Sequence, residues 1–347
     1  MSTKKLSGTC ILVTAVALAV AVALVSPAWA QQAPIKWKAQ TLWNAQERPQ
    51  KTFEDFCKKV KVATNGRLEI EPYPAGAIVP TNETLTALQS NVLQAIHVWP
   101  GYASGRNPAF AALTDLIFGY EHPWELDAFM HYKGGLELLR ELYKPFGGYT
   151  VGVMTWGVES WPSKKAIRNM DDLKGLKIRE PQGMEAEFMA KAGASVVVLP
   201  GTEVFSAMDK GVIDATNWAT ASINEKTGIH QVAPFFTYPG FHSMPIGDFT
   251  VRQQEWDKLP EDIKGILTGL CREWAWDTIE KVAVDDAQLV ADAKSKGYTV
   301  VAWTPEEKAK ARKLAMEIWQ GWKSKNEQTK RAIEMQEAWL RELGRIQ

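Results

Sequence analysis

From Leu173 to Trp218 the chain alternates short apolar runs, turn residues and helical spacings so regularly that few folds can accommodate it. Leu176 to Arg179 alternates apolar and basic residues, the period of a short strand, with Arg179 on the face opposite Leu176 and Ile178. Glu180-Pro181-Gln182-Gly183 then breaks the pattern, Met184 to Ala192 has helical spacing, and Gly193 is a C-cap. Ser195 to Leu199 is a β-branched run of the length and character of a buried parallel strand. After the Pro200-Gly201 turn, Thr202 opens a second helix carrying Val204, Phe205 and Met208, which Gly211 ends. Val212 to Ala215 enters a third strand ahead of Asn217-Trp218. The reading is β-α-β-α-β with short connections, and such sheets bind ligands at the carboxyl ends of their strands. Arg179, Asn217 and Trp218 all fall at such ends. A guanidinium there offers a planar, permanently charged fork that matches a carboxylate bidentately, and a structural ion pair is its other reading.

The stretch L-K-G-L-K-I-R, followed by G-A, a hydrophobic strand, a P-G-x-E turn into a helix, and G-V-I-D-A before a polar-aromatic pair, resembles the solute receptors of tripartite ATP-independent periplasmic (TRAP) transporters, the DctP family. The resemblance covers almost all of the chain after its first thirty residues. It implies an α/β, two-lobed periplasmic-binding-protein-like fold, with two mixed-sheet domains joined by crossing strands and one long spanning helix. Residues 31–154 would form lobe I, with 246–280 returning to it. Residues 155–245 would form lobe II, with 281–303, and 304–347 a C-terminal helical extension. The resemblance also implies that Arg179 clamps the carboxylate of an organic acid, with Gly157 to Trp161, and so Glu159, landing opposite. In character the chain is closest to the dimeric subgroup that binds 2-oxo acids with a cation. That subgroup places acids where this chain has Asn217 and Ser243. Hard cations want several oxygen ligands, so a bound cation is not expected, and Glu159 is the residue left to hold one. No other cofactor is implied.

Lys4 and Lys5 precede an apolar run from Ile11 to Leu24, closed by Ser26-Pro27 and Ala28-Trp29-Ala30. This is the pattern of a secretory signal at 1–30, cut before Gln31, and the run is short for the alternative of a retained anchor. The expected location is the periplasm. Forty basic residues balance forty acidic ones, which argues against nucleic acid or an anionic membrane surface as partner. Cys57 and Cys271 each lie on an apolar helical face and read as buried free thiols.

Along the chain, Ile35 to Trp43 alternates as a first strand, and Phe53, Phe56, Cys57 and Val60 form the buried stripe of a helix. Leu68 to Tyr73 is a strand, and Thr81 an N-cap for a helix with Leu85, Leu88 and Val92. Ala95 to Trp99 is a strand delivering Trp99 and Tyr102 to the ligand edge, with His97 a core histidine. Tyr149 to Trp156 crosses between lobes, Ile246 to Val251 returns, and Ile263 to Ala293 is long enough to span both. Thr304-Pro305-Glu306-Glu307 starts a terminal helix with Leu314, Ile318, Trp319 and Trp322 on one stripe. Ile333, Met335, Trp339, Leu340 and Leu343 form a second stripe. Tryptophans so far out need covering, and the resemblance points to a homodimer formed through these helices.

The candidate ligand site is therefore Arg179, Trp218, Asn217, Glu159, Trp156, Trp99, Tyr102 and Ser243, with Gln182 in the turn after the arginine. The chain lacks G-x-S-x-G, H-E-x-x-H, P-loop and G-x-G-x-x-G motifs, so a receptor rather than an enzyme is expected. Its partners would be a small carboxylate and the membrane subunits of the transporter. A sensing or scaffold protein of the same fold, or a periplasmic enzyme, are the alternatives.

Overall fold

The computed structural model describes residues 33–199 and 201–347. The expected signal segment, its cut site and Pro200 lie outside the described residues. The strands, in chain order, are β1 (Ile35–Thr41), β2 (Leu68–Tyr73), β3 (Ala95–His97), β4 (Gly148–Thr155), β5 (Pro162–Ser163), β6 (Lys177–Glu180), β7 (Ser195–Val198), β8 (Ala215–Thr216), β9 (Phe235–Thr237), β10 (Ile246–Arg252) and β11 (Thr299–Val301).

They build two mixed sheets, one for each lobe. The first runs β2-β1-β3-β10-β4 and the second β11-β9-β5-β8-β6-β7. In the first, β1 and β3 are parallel, while β10 pairs antiparallel with both β3 and β4. Its strands follow the sequence pattern: Trp37 and Ala39 are buried where Lys36 and Lys38 are not. In the second, β6 lies parallel between β7 and β8. Val204, Met208, Ile213, Ile229 and Ala233 pack together as one cluster of its core.

The helix Glu261–Asp292 is a single element of 32 residues, about 48 Å long at 1.5 Å per residue. Its first half packs on the first sheet, where the Trp274 ring sits 4.8 Å from His97 and 5.3 Å from Phe56. Its second half reaches the other lobe, where Leu289 packs with Phe236 and Ala221. Among the described residues no helix is long and apolar enough to cross a membrane. The two-lobed α/β architecture is the one the sequence led us to expect.

Two local readings are corrected. The valine run at β7 is not a buried strand: it is the edge of its sheet, and Val198 is 57% exposed. Composition alone could not separate a two-sided burial from an edge. Thr81 does not cap an α-helix directly; it begins a 3-10 turn that leads into the helix Thr84–Gln89. The tryptophan-bearing C-terminal helices, Pro305–Lys323 and Glu327–Glu342, set two of their indoles on their own chain. Trp319 is fully buried and its Nε1 donates to the Ile117 carbonyl at 3.2 Å, while Trp339 Nε1 donates to the Glu125 carbonyl at 2.8 Å. Cys57 and Cys271 are buried free thiols.

Candidate functional site

Arg179 stands on β6 in register with Val197 of β7 and Thr216 of β8, so both neighbouring strand ends are within reach of its side chain. Its Nε donates to the Leu199 carbonyl at 2.9 Å and its Nη1 to the Asn217 carbonyl. Those bonds fix the plane of the fork and leave the Nη2 edge for another partner. The side chain is 2% exposed, and among the described residues no carboxylate lies within ion-pair distance of it. A buried guanidinium without a carboxylate at contact distance is unusual, since buried charges are normally paired. The ion-pair reading of Arg179 therefore lacks its partner.

Trp218 and Trp156 wall the space beside it, and Trp43 packs against both. The Trp218 ring centroid lies 5.9 Å from the Arg179 guanidinium, and its Nε1 donates to Glu47 Oε1 at 3.0 Å. Trp156 Nε1 donates to Glu159 Oε1 at 2.9 Å. Trp43 packs edge-on to both, 4.7 Å from Trp156 and 6.1 Å from Trp218, and donates to His97 Nε2 at 3.1 Å. His97 in turn places its Nδ1 hydrogen on the Asp248 carbonyl, and burial holds the imidazole neutral, down at about 4. It is the core histidine expected, and it aligns the wall. Gly201 lets Trp218 lie flat on the backbone: a Cβ there would sit 1.8 Å from the ring.

Behind the tryptophans four carboxyl side chains converge. Ser243 Oγ lies 2.7 Å from Asp115 Oδ2 and 3.2 Å from Glu159 Oε2, and the Met244 amide donates to Asp115 Oδ1 at 3.3 Å. Glu185 joins Asp115 on the cavity wall, and Glu180 follows Arg179 in the strand with both carboxyl oxygens buried and without a hydrogen-bond partner. Burial pushes all four upward: Glu180 to about 8, Glu159 and Glu185 well above the usual carboxylate range, and Asp115 above its own. The negative charges of the neighbours add to the rise for Glu159 and Glu185. The group is crowded and cannot ionise fully.

Seven of the nine predicted residues, Arg179, Trp218, Asn217, Glu159, Trp156, Trp99 and Tyr102, wall one small cavity of about 30 Å³, together with Asp115 and Glu185. Ser243 sits just behind, tying Asp115 to Glu159. Gln182 is set apart: it is exposed and lines an outer cleft of about 430 Å³ that shares Arg179, Tyr102 and Trp218 with the inner cavity. Larger hollows, about 550 Å³ and about 890 Å³, lie elsewhere and do not include Arg179.

Sequence reasoning did not find Asp115, Glu180, Glu185 or Glu47. Asp115 and Glu185 carried a signal, because a lone acid inside an apolar run or on a buried helical face is seldom there for packing. Asp115 interrupts Phe110 to Phe118, and Glu185 shares its face with Phe188 and Met189. The residues present fit a metal poorly. Asn217 and Ser243 are neutral, and no group of three His, Cys, Asp or Glu among the described residues is arranged to hold an ion.

Two α/β lobes meeting over a cavity with a strand-end arginine and an aromatic wall define a two-lobed solute receptor. The family model for bacterial extracellular solute-binding protein, family 7 (DctP), matches residues 40–326, and the chain belongs to that family. A monocarboxylate 2-oxoacid-binding periplasmic protein of Nostoc sp. is 29% identical over 89% of this chain and 85% of its own length. A TRAP periplasmic solute-binding protein from Rhodobacter sphaeroides, in an apo open structure, is 34% identical with a TM-score of 0.73, over 89% of this chain and 98% of that one. A second, from Bordetella bronchiseptica, is a mixed-occupancy dimer with copurified calcium and picolinate in one site; it is 26% identical with a TM-score of 0.79, over 90% of this chain and 93% of that one. This chain is a solute-binding protein of TRAP-type uptake.

Proposed function

We propose that the receptor takes a small organic acid into the cavity between its lobes, carboxylate on Arg179, and hands it in the closed form to the membrane subunits. The observation that carries this is the buried, unpaired guanidinium, oriented by two strand-end carbonyls against a tryptophan wall. Trp156 and Trp218 sandwich the ligand, Asn217 and Glu159 read a second polar group on it, Trp99 and Tyr102 close the far side, and Gln182 lines the way in. Lobe I comprises 31–154 and 246–280, and lobe II comprises 155–245 and 281–303. A ligand touching both lobes favours closure, because it binds the closed state better than the open one.

The protein carries no catalytic role in this reading and works in the periplasm, after cleavage before Gln31. It uses no resident metal, although the Bordetella bronchiseptica relative holds calcium beside its picolinate. A homodimer is proposed from the likeness to that relative's dimer, and sedimentation of the mature chain tests it. Thermal shift of ligand-stripped protein against 2-oxo, 2-hydroxy, dicarboxylic and aromatic acids, with and without calcium, tests the function. Stabilisation by one acid class supports the proposal. No shift with any carboxylate overturns it.

A further inference from the structure

The cavity that holds Arg179 is also walled by the carboxyls of Asp115, Glu159 and Glu185, acceptors for which a ligand carrying only a carboxylate brings no donor. We infer that the ligand is an aminocarboxylate, its carboxylate on Arg179 and its ammonium group held by the carboxyls of Glu159, Asp115 and Glu185. This rests on the carboxylate reading of Arg179 given above.

Hydrogen counting leads here. Ser243 has one hydroxyl hydrogen, yet its Oγ approaches both Asp115, at 2.7 Å, and Glu159, at 3.2 Å. The hydrogen serves the shorter contact, so the Glu159 contact needs a hydrogen from Glu159 itself. Asp115 and Glu185 share that wall and add further acceptors to it. Nothing basic from the protein supplies these hydrogens: Arg179 is the one cationic side chain on the cavity wall, and none of the three acids lies within ion-pair distance of it. A primary ammonium brings three donors and a positive charge to oxygens that otherwise retain protons. A ligand carrying both charges therefore matches the two ends of the wall. An independent observation points the same way. Trp99, 6% exposed, lines this cavity, and its Nε1 hydrogen has no acceptor, which leaves a second donor for the ligand's carboxylate. A metal ion is the other source of positive charge, and the absence of any metal-competent group of acids and histidines among the described residues decides against it.

The test is isothermal titration of ligand-stripped protein with acids sharing one carbon skeleton: the 2-amino, 2-hydroxy, 2-oxo and unsubstituted forms, plus the terminal amino form. Each is run with and without calcium and in two buffers of different ionisation heat. The amino acid of at least one skeleton should bind on the order of 10²-fold more tightly than its 2-oxo partner, the usual cost of removing one partner of a buried charge pair. Binding should release protons, seen as buffer-dependent heat, and the amino-over-oxo ratio should fall at least about tenfold in Glu159→Gln. A 2-oxo or 2-hydroxy acid that binds as tightly as its amino partner, or that binds tightly only with calcium, overturns the inference and leaves the carboxylate reading standing. An amine lacking a carboxylate that binds as tightly as the amino acid, or no binding by any acid, removes the carboxylate reading itself.

Discussion

Arg179 commits two donors to the carbonyls of Leu199 and Asn217, and that geometry requires a guanidinium. A lysine ammonium is a single compact charge on a flexible stem and cannot hold both carbonyls while facing a ligand. Arg179→Lys should therefore weaken carboxylate binding almost as much as Arg179→Ala, on the order of 10²-fold by the usual cost of removing a buried charged partner, measurable by titration calorimetry. Retention of most of the affinity in the lysine variant would mean that charge alone suffices. Arg179 was legible in the sequence because a strand period and a turn place it without any tertiary knowledge. Asn217 and Trp218 were legible for the same reason. Asp115, Glu180 and Glu185 were not, because they come from different elements and only the fold brings them together. Glu47 was hidden in the same way: it meets Trp218 across 171 residues of chain.

At the scale of elements, periodicity located the long helix Glu261–Asp292 and the crossing strand β4 well, since both repeat for many residues. It misjudged β7, whose four residues carry no information about what lies on either side. The C-terminal helices were found, and Trp319 and Trp322 turn inward on their own chain. Here the contacts make a specific prediction. Trp319 is buried with its indole on the Ile117 carbonyl, so Trp319→Ala should lower unfolding stability by about 3–5 kcal/mol, read as a shift in urea midpoint. Thr304 caps the helix Pro305–Lys323 by accepting from the Glu307 amide, and Thr304→Ala should cost about 1 kcal/mol in the same assay. A near-zero effect for Trp319 would mean that this helix does not contribute to the core of a single chain.

At the scale of the whole molecule, the buried carboxyls make stability depend on pH. Burial raises Glu47 to about 7 and Glu180 to about 8, so between the ordinary value of 4.5 and those values the folded chain binds more protons than the unfolded one. Stability from these groups is present at low pH and is lost as pH rises through that window. His97 and His242, lowered to about 4 and about 3, act oppositely: their contribution is present above 6.5 and is lost as pH falls below it. Between pH 6.5 and pH 8 only the carboxyls act, and the apparent Tm should fall across that interval. Glu47→Gln should flatten the fall, because the neutral amide can still accept from Trp218 while no longer titrating. A Tm that rises over the interval would contradict this distribution of protons.

All of these arguments meet at the unpaired guanidinium, and binding is its direct readout. Titration calorimetry of ligand-stripped wild type and Arg179→Ala with the acid that most raises the Tm is the measurement that tests it. The account predicts saturable binding to wild type and a loss of affinity on the order of 10²-fold in the variant, with circular dichroism and urea midpoint showing both chains folded. Equal affinity in a folded Arg179→Ala protein would contradict it, and would move the ligand away from the strand ends of the second lobe.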